Sequence, residues 1–186
     1  MTNRETRLEL HYGNRLMRCF ADRPETVRAL LDRAVADSPD SPAISDGATT
    51  LSYVELHRAV SRVAGGLSAK GIGKGDRVAI IADNRIEFLM VALACAKLAA
   101  IFVPMGLRLR APEISYICET SGARILIHDA DLAAILPAPA DTPQVEERFS
   151  VAGSTEGSSD FADLADAEPL DAEPELHEDD PYCIFF

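Results

Sequence analysis

The sequence predicts an α/β fold, an open parallel sheet with helices on both faces. Short apolar or β-branched runs at 77–82, 101–104 and 124–128 alternate with stretches of helical apolar period. The loops between them are short and carry helix-stop and helix-start residues. Parallel neighbours need a crossover of about a dozen residues, and each intervening stretch is long enough to supply one as a helix. Right-handed crossovers then build an α/β core over 77–128, and function belongs at the C-terminal ends of its strands.

The elements follow in order. Residues 1–18 alternate Arg with polar and single apolar residues, without the continuous apolar stretch a signal peptide needs, so export is not expected. A first helix is expected over 26–37, where Val27, Leu30, Leu31, Ala34 and Val35 share one stripe and Ser38-Pro39 stops the run. Pro42-Ala43-Ile44-Ser45 and Thr50-Leu51-Ser52 flank the turn dipeptide Asp46-Gly47 and predict a small hairpin. Ser52 and Glu55 then form a capping box, and Leu56, Val60, Val63, Ala64 and Leu67 make the buried face of a helix that Gly71 ends.

Gly71-Ile72-Gly73-Lys74-Gly75-Asp76 has the glycines of a phosphate loop but the wrong order. A phosphate loop follows a strand and opens a helix, whereas this segment follows a helix and opens the strand at 77–82, so it reads as a helix stop and tight turn. Asn84 with Glu87 is expected to cap the next helix, through Phe88, Val91, Ala92 and Ala96, ahead of strand 101–104. Residues 88–107 have the length of a membrane span with Lys97 as the one charge, yet the capped start and Pro104 divide them into a helix and a buried strand. Pro112 suits the first turn of a further helix with Ile114, Ile117 and Cys118 on one face, Gly122 closes it, and strand 124–128 follows. Beyond His128, prolines 137, 139 and 143 interrupt the chain, 145–151 can form one more strand, and 154–180 reads as acidic and mobile. Tyr182-Cys183-Ile184-Phe185-Phe186 has strand character with no turn after it, and such an edge is expected to make a 186-residue piece self-associate. The expected organisation is an α/β unit over 1–136, a Pro-rich and acidic connecting segment over 137–181, and a strand start at 182–186.

Charge is distributed unevenly. The net charge is −12; residues 1–128 hold 17 bases and 14 acids, and residues 129–186 hold one base, Arg148, and 16 acids. That balance argues against a nucleic-acid partner, which needs concentrated positive charge. Hydrophobic residues at 47% and a mean hydropathy of +0.01 match a globular chain without a membrane span. Cys19, Cys95, Cys118 and Cys183 are widely spaced with no Cys-x-x-Cys, so reduced thiols in a cytoplasm are expected, with Cys95 and Cys118 as core thiols. His57 on a helix surface and His128 at a strand end lack catalytic partners at useful spacing and read as surface or satisfied histidines.

Five segments in order resemble the AMP-forming acyl-CoA synthetases of the adenylate-forming superfamily: Leu51-Ser52-Tyr53-Val54-Glu55-Leu56, the run from Gly71 through Asp76-Arg77-Val78-Ala79-Ile80, Asn84 with Glu87-Phe88, Lys97-Leu98-Ala99-Ala100-Ile101-Phe102-Val103-Pro104, and 113–121. The resemblance covers about 26–128 and implies the first subdomain of that family's N-terminal domain. Residues 179–186 resemble the strand before the family's ATP phosphate loop, so the sequence is expected to stop short of the catalytic apparatus and to be inactive alone. For a full-length enzyme the resemblance implies ATP, Mg2+ and coenzyme A acting on a small carboxylic acid, with fatty acid metabolism as one setting and a homodimer as one assembly. No catalytic residue and no metal ligand is carried over. Met105-Gly106-Leu107-Arg108-Leu109 stands where relatives often read L-N-P-R-L, which makes Arg108, with Gly106, the candidate contact for a phosphate of coenzyme A; an Arg fork suits phosphate. Arg110 is the alternative contact, and arginines that only solvate a loop are the competing expectation. A non-CoA acyl acceptor and a stand-alone interaction module without chemistry are the alternative functions.

Overall fold

The computed structural model describes residues 5–47 and 49–186. In chain order the elements are β1 (Thr6–His11), β2 (Arg15–Phe20), α1 (Val27–Asp37), β3 (Pro42–Ser45), β4 (Thr50–Ser52), α2 (Tyr53–Ala69), β5 (Arg77–Ile81), α3 (Ile86–Leu98), β6 (Ile101–Pro104), α4 (Ala111–Ser121), β7 (Ile125–Asp129), β8 (Glu147–Val151), β9 (Ser159–Asp160) and α5 (Ala162–Ala165). The last five strands form one sheet in the order β6-β5-β7-β8-β9, and every pairing in it is parallel.

Side-chain alternation along those strands divides the core in two. Val78 and Ile80 of β5, Phe102 of β6, Ile125 and Ile127 of β7 and Phe149 of β8 pack under α2 and α3. Ala79, Ile81, Val103 and Leu126 turn to the opposite face and meet Ile114, Ile117 and Cys118 of α4. The sheet is therefore covered on both faces, as its apolar strands require.

Local signals act where they were expected. Ser52 accepts from the Glu55 N–H at 3.4 Å while the Glu55 carboxylate accepts from the Ser52 N–H at 2.8 Å, and the five expected residues of α2 are buried. Gly71 and Gly122 follow their helices at φ 79° and 66°, in the left-handed region. The start of α3 differs. Arg85 is its N-cap and offers no side-chain cap. Asn84 gives its N–H to the Asp83 carboxylate at 2.7 Å, and Glu87 pairs with the Arg85 guanidinium at 3.0 Å. The Asn84–Glu87 capping pair does not form, because Asp83 and Arg85 take both partners first. Glu87 still lies in the first turn, where negative charge favours a helix. Apolar on nearly every side, α3 is buried between α2 and the sheet, and no helix among the described residues is long and apolar enough to cross a membrane.

The acidic segment is ordered, contrary to the expectation of mobility. Phe161 and Leu164 are buried in the α2 face of the core, and β9 joins the sheet beside β8. Its carboxylates meet bases from the first hundred residues: Glu173 takes the buried Lys97 ammonium and, at 3.4 Å, Arg28; Glu178 takes Arg23; Asp180 takes Lys74 at 2.7 Å. Part of the uneven charge of the sequence is thus paired across the fold. Past this clasp, the Phe102 N–H donates to the Tyr182 carbonyl at 2.8 Å and the Ile184 N–H to the Phe102 carbonyl at 3.0 Å, which sets the last residues beside β6 in a parallel bridge.

Near the N-terminus, β1 and β2 form an antiparallel hairpin from Thr6↔Phe20 to His11↔Arg15. No element is expected there from the sequence. Its Tyr12-Gly13 turn has φ of 51° and 83°, and one face leaves Leu8, Leu10 and Leu16 exposed.

Candidate functional site

In an open parallel sheet a crevice forms where neighbouring strands send their connections in opposite directions. Here β5 runs on to β6 at one side and β7 to β8 at the other, so the crevice lies between the C-terminal ends of β5 and β7. Side chains fill it. The Asp129 carboxylate, at the end of β7, accepts from the Asp83 N–H at 2.7 Å and from Arg85 at 2.5 Å. His128 is fully buried, with Nδ1 2.8 Å from the Asp129 carbonyl and Nε2 2.8 Å from the Ser158 hydroxyl. Burial lowers its pKa below the ordinary histidine value, so the neutral ring donates from Nδ1 and accepts at Nε2. His128 is a satisfied core histidine.

Open space lies at the C-terminal end of β6. A groove of about 840 Å³ runs there, with Met105, Gly106, Leu107 and Arg108 on one side and Tyr116 and Phe186 on the other. The Met105 N–H donates to the Ile80 carbonyl at 2.8 Å, a last ladder bond before the chain turns. Leu109 closes that turn through its N–H to the Gly106 carbonyl at 3.2 Å. Glu113 then accepts from the Arg110 N–H at 2.9 Å, and Pro112 sits in the first turn of α4, where its missing N–H costs nothing. Across the groove, the Tyr116 and Phe186 rings meet edge to face, 6.3 Å apart at 82°.

The two arginines of this loop part company. Arg110 folds back and donates to the carbonyls of Arg108 and Leu109 at 3.1 and 3.0 Å, so its guanidinium shapes the loop. Arg108 is exposed on the groove, and among the described residues its guanidinium has no ion pair or hydrogen-bond partner. Beside it Gly106 is exposed, and a Cβ there would meet nothing within 4 Å, so the backbone leaves room for a bulky ligand. The arrangement can hold an anion, by a fork that needs no rearrangement, next to an apolar wall that can take an extended organic chain. Gly106 and Arg108, both expected from the sequence, lie together in this groove.

His57 lies half-buried on α2, its Nε2 3.3 Å from Lys97 Nζ and 3.5 Å from Asp32, which makes it part of the clasp on the acidic segment. Cys95 and Cys118 are buried, and burial pushes the Cys118 thiol up to about 11, in keeping with core thiols. Glu9, His11 and Cys19, for which the sequence carries no joint expectation, are brought together on one face of the hairpin. The signal was a Glu-x-His pair two apart on a strand, but without the pairing register nothing in the sequence places Cys19 beside it.

Residues 31–186 match the family described as AMP-binding enzyme. The chain is 42% identical over 101 residues to a feruloyl-CoA synthase of Amycolatopsis sp, an overlap of 54% of this chain and 21% of that protein. It is 36% identical over 107 residues to the fatty acid--[acyl-carrier-protein] ligase ScoC of Streptomyces coeruleorubidus, covering 57% of this chain and 21% of that protein. A Mycobacterium tuberculosis fatty acyl CoA synthetase superposes with a TM-score of 0.75 at 27% identity, over 87% of this chain and 32% of that one. The matched stretch spans about a fifth of the length of each of these two curated relatives.

Proposed function

The chain belongs to the AMP-binding enzyme family, the adenylate-forming ligases, and from that premise we propose that it forms the first α/β part of a longer acyl-CoA synthetase. In that reaction a carboxylate oxygen attacks the α-phosphorus of ATP and pyrophosphate leaves, giving an acyl-adenylate. The sulfur of coenzyme A then attacks the acyl carbon, and AMP leaves with the electron pair of the broken acyl–phosphate bond. No residue of this chain is assigned to ATP or to Mg2+, and the 186 residues alone are expected to be inactive.

This chain's part is to hold coenzyme A. Arg108 pairs with one of its phosphates through the guanidinium fork, Gly106 lets the ligand approach the backbone, and Arg110 with Glu113 fixes the loop between β6 and α4. The single observation that carries the reading is the free Arg108 guanidinium on the groove beside an Arg110 that is tied back. We place the enzyme in the cytoplasm, where its free cysteines stay reduced.

A second reading, transfer to a carrier protein, is favoured by the likeness to ScoC, a fatty acid--[acyl-carrier-protein] ligase. The experiment that tests both uses the full-length protein. Hydroxylamine trapping reports acyl-adenylate formation whatever the acceptor, and its absence with every carboxylate tried would favour a non-catalytic module. Turnover with coenzyme A against a phosphopantetheinyl carrier protein then separates the two acceptors.

A further inference from the structure

We propose that Glu9, His11 and Cys19, on the N-terminal hairpin, form a transition-metal site suited to Zn2+. Residues two apart on a strand share a face, and the β1–β2 register sets Cys19 opposite Arg7, on the same face as Glu9 and His11. His11 Nε2 lies 3.1 Å from Glu9 Oε2 and 3.6 Å from Cys19 Sγ, and the three donor atoms fall within 4.8 Å of one another. Ligands about 2.0–2.3 Å from one tetrahedral ion stand roughly 3.3–3.6 Å apart, so the Cys19 distance is that of a neighbouring ligand, and the Glu9 carboxylate, at 3.1 Å, needs only a small outward movement to reach that range.

The surroundings prepare the group for an ion. The His11 side chain is more than nine-tenths buried, and its Nδ1 faces Asp179 Oδ1 at 2.8 Å. A carboxylate on the far nitrogen fixes the ring's orientation and directs Nε2 at the ion, an arrangement that recurs around metal-bound histidines. Asp179 is itself held by the Tyr12 N–H at 2.8 Å. Two arginines already engage Glu9: Arg7 and Arg23 Nη1 both reach Oε1, and Arg23 Nη2 reaches Oε2 at 2.5 Å. Arg23 Nη2 also donates to Glu178, so Oε2 can turn to an ion while both arginines keep Oε1 and Arg23 keeps Glu178. Binding releases the thiol proton of Cys19 and any second proton on His11, and the thiolate, carboxylate and neutral imidazole balance a divalent charge. A water takes the fourth position. Sulfur with imidazole selects Zn2+ or its neighbours over Mg2+ and Ca2+.

An ion here would fasten the hairpin to residues 178–179, just ahead of the residues that bridge to β6. The test is made on the full-length protein, stripped with a chelator and loaded with Co2+ alone, then with Zn2+ alone against a chromophoric chelator. The expected result is one equivalent of Co2+ with thiolate-to-cobalt charge-transfer bands. Those bands should vanish in Cys19→Ser and persist in Cys183→Ser. Zn2+ affinity should fall at least tenfold in His11→Gln and roughly 10- to 100-fold in Asp179→Asn, with circular dichroism confirming that each variant is folded. The proposal is overturned by charge-transfer bands that survive Cys19→Ser, by bands that depend on Cys183, or by no saturable Co2+ binding.

Discussion

The carbonyl oxygen of Glu168 lies 1.9 Å from the point that a Cβ on Gly65 would occupy. The acidic segment thus crosses α2 at backbone distance, and Gly66 repeats the approach against Leu164, whose Cα stands 2.7 Å from its missing Cβ. Two glycines inside a helix cost about 1 kcal/mol each against alanine, and this contact is the reason they are tolerated.

Gly65→Ala sets two effects against each other. Helix propensity favours alanine by about 1 kcal/mol, while forcing a methyl into a backbone oxygen costs about 1–3 kcal/mol or more. At 1.9 Å the clash cannot be relieved by a side-chain rotation; the segment must lift and loosen the Leu170 N–H bond to the Ser61 carbonyl. Net destabilisation of about 1–2 kcal/mol is expected in urea unfolding. Gly73→Ala, where a Cβ meets nothing within 4 Å, should be neutral or slightly stabilising. A stabilised Gly65→Ala would mean that the segment does not pack on α2.

Lys97 provides a second test of the same clasp. Its side chain is 4% exposed and its ammonium faces Glu173 and His57. Glu173→Ala leaves a buried cation with a poor partner; because Glu173 itself is partly in water, a loss of about 1–3 kcal/mol is expected, below the range for a fully buried pair. Lys97→Met removes the buried charge and leaves Glu173 with Arg28, so it should cost under about 1 kcal/mol. The double variant should recover most of the Glu173→Ala loss. Simple additivity in that cycle would show that the pair is not coupled.

His128 gives a pH dependence of defined sign. Its folded pKa lies below the ordinary value because burial disfavours the charged ring. The unfolded chain therefore binds the proton first, so stability is full above about pH 6.5 and is lost as the pH falls toward the folded value. Unfolding free energies measured from pH 7.5 to 5 should fall for the native chain and fall less steeply for His128→Gln, which keeps a donor and an acceptor. Parallel slopes for the two proteins would show that His128 does not contribute.

The parts of the fold legible in the sequence are those set by nearby residues. The Ser52–Glu55 box, the Asp46-Gly47 hairpin, the Gly122 stop and the alternation of buried strands with helices all act within a few positions. The start of α3 escaped because three polar neighbours, Asp83, Asn84 and Arg85, compete for the same groups. The acidic segment escaped for a different reason: its composition is that of a solvated tail, and only the fold brings Lys74, Arg23, Arg28 and Lys97 to its carboxylates. The β1–β2 hairpin escaped because its apolar residues face outward and its inward face carries Glu9, His11 and Cys19. At the groove, Arg108 and Gly106 are candidates through resemblance to a family, and what sets Arg108 apart from Arg110 is a difference in hydrogen-bond partners that no sequence spacing reveals.

The proposed contact between Arg108 and coenzyme A lies in the groove at the end of β6. It is tested most directly by steady-state kinetics of Arg108→Ala in the full-length enzyme, with pyrophosphate release measured beside thioester formation. A charge-assisted bond is worth about 1.5–3 kcal/mol, so KM for coenzyme A should rise roughly 10- to 100-fold. Acyl-adenylate and pyrophosphate formation without coenzyme A should stay within about twofold, and Arg108→Lys should fall between, keeping the charge and losing the fork. An unchanged KM for coenzyme A, or an equal fall in pyrophosphate formation, would contradict the assignment.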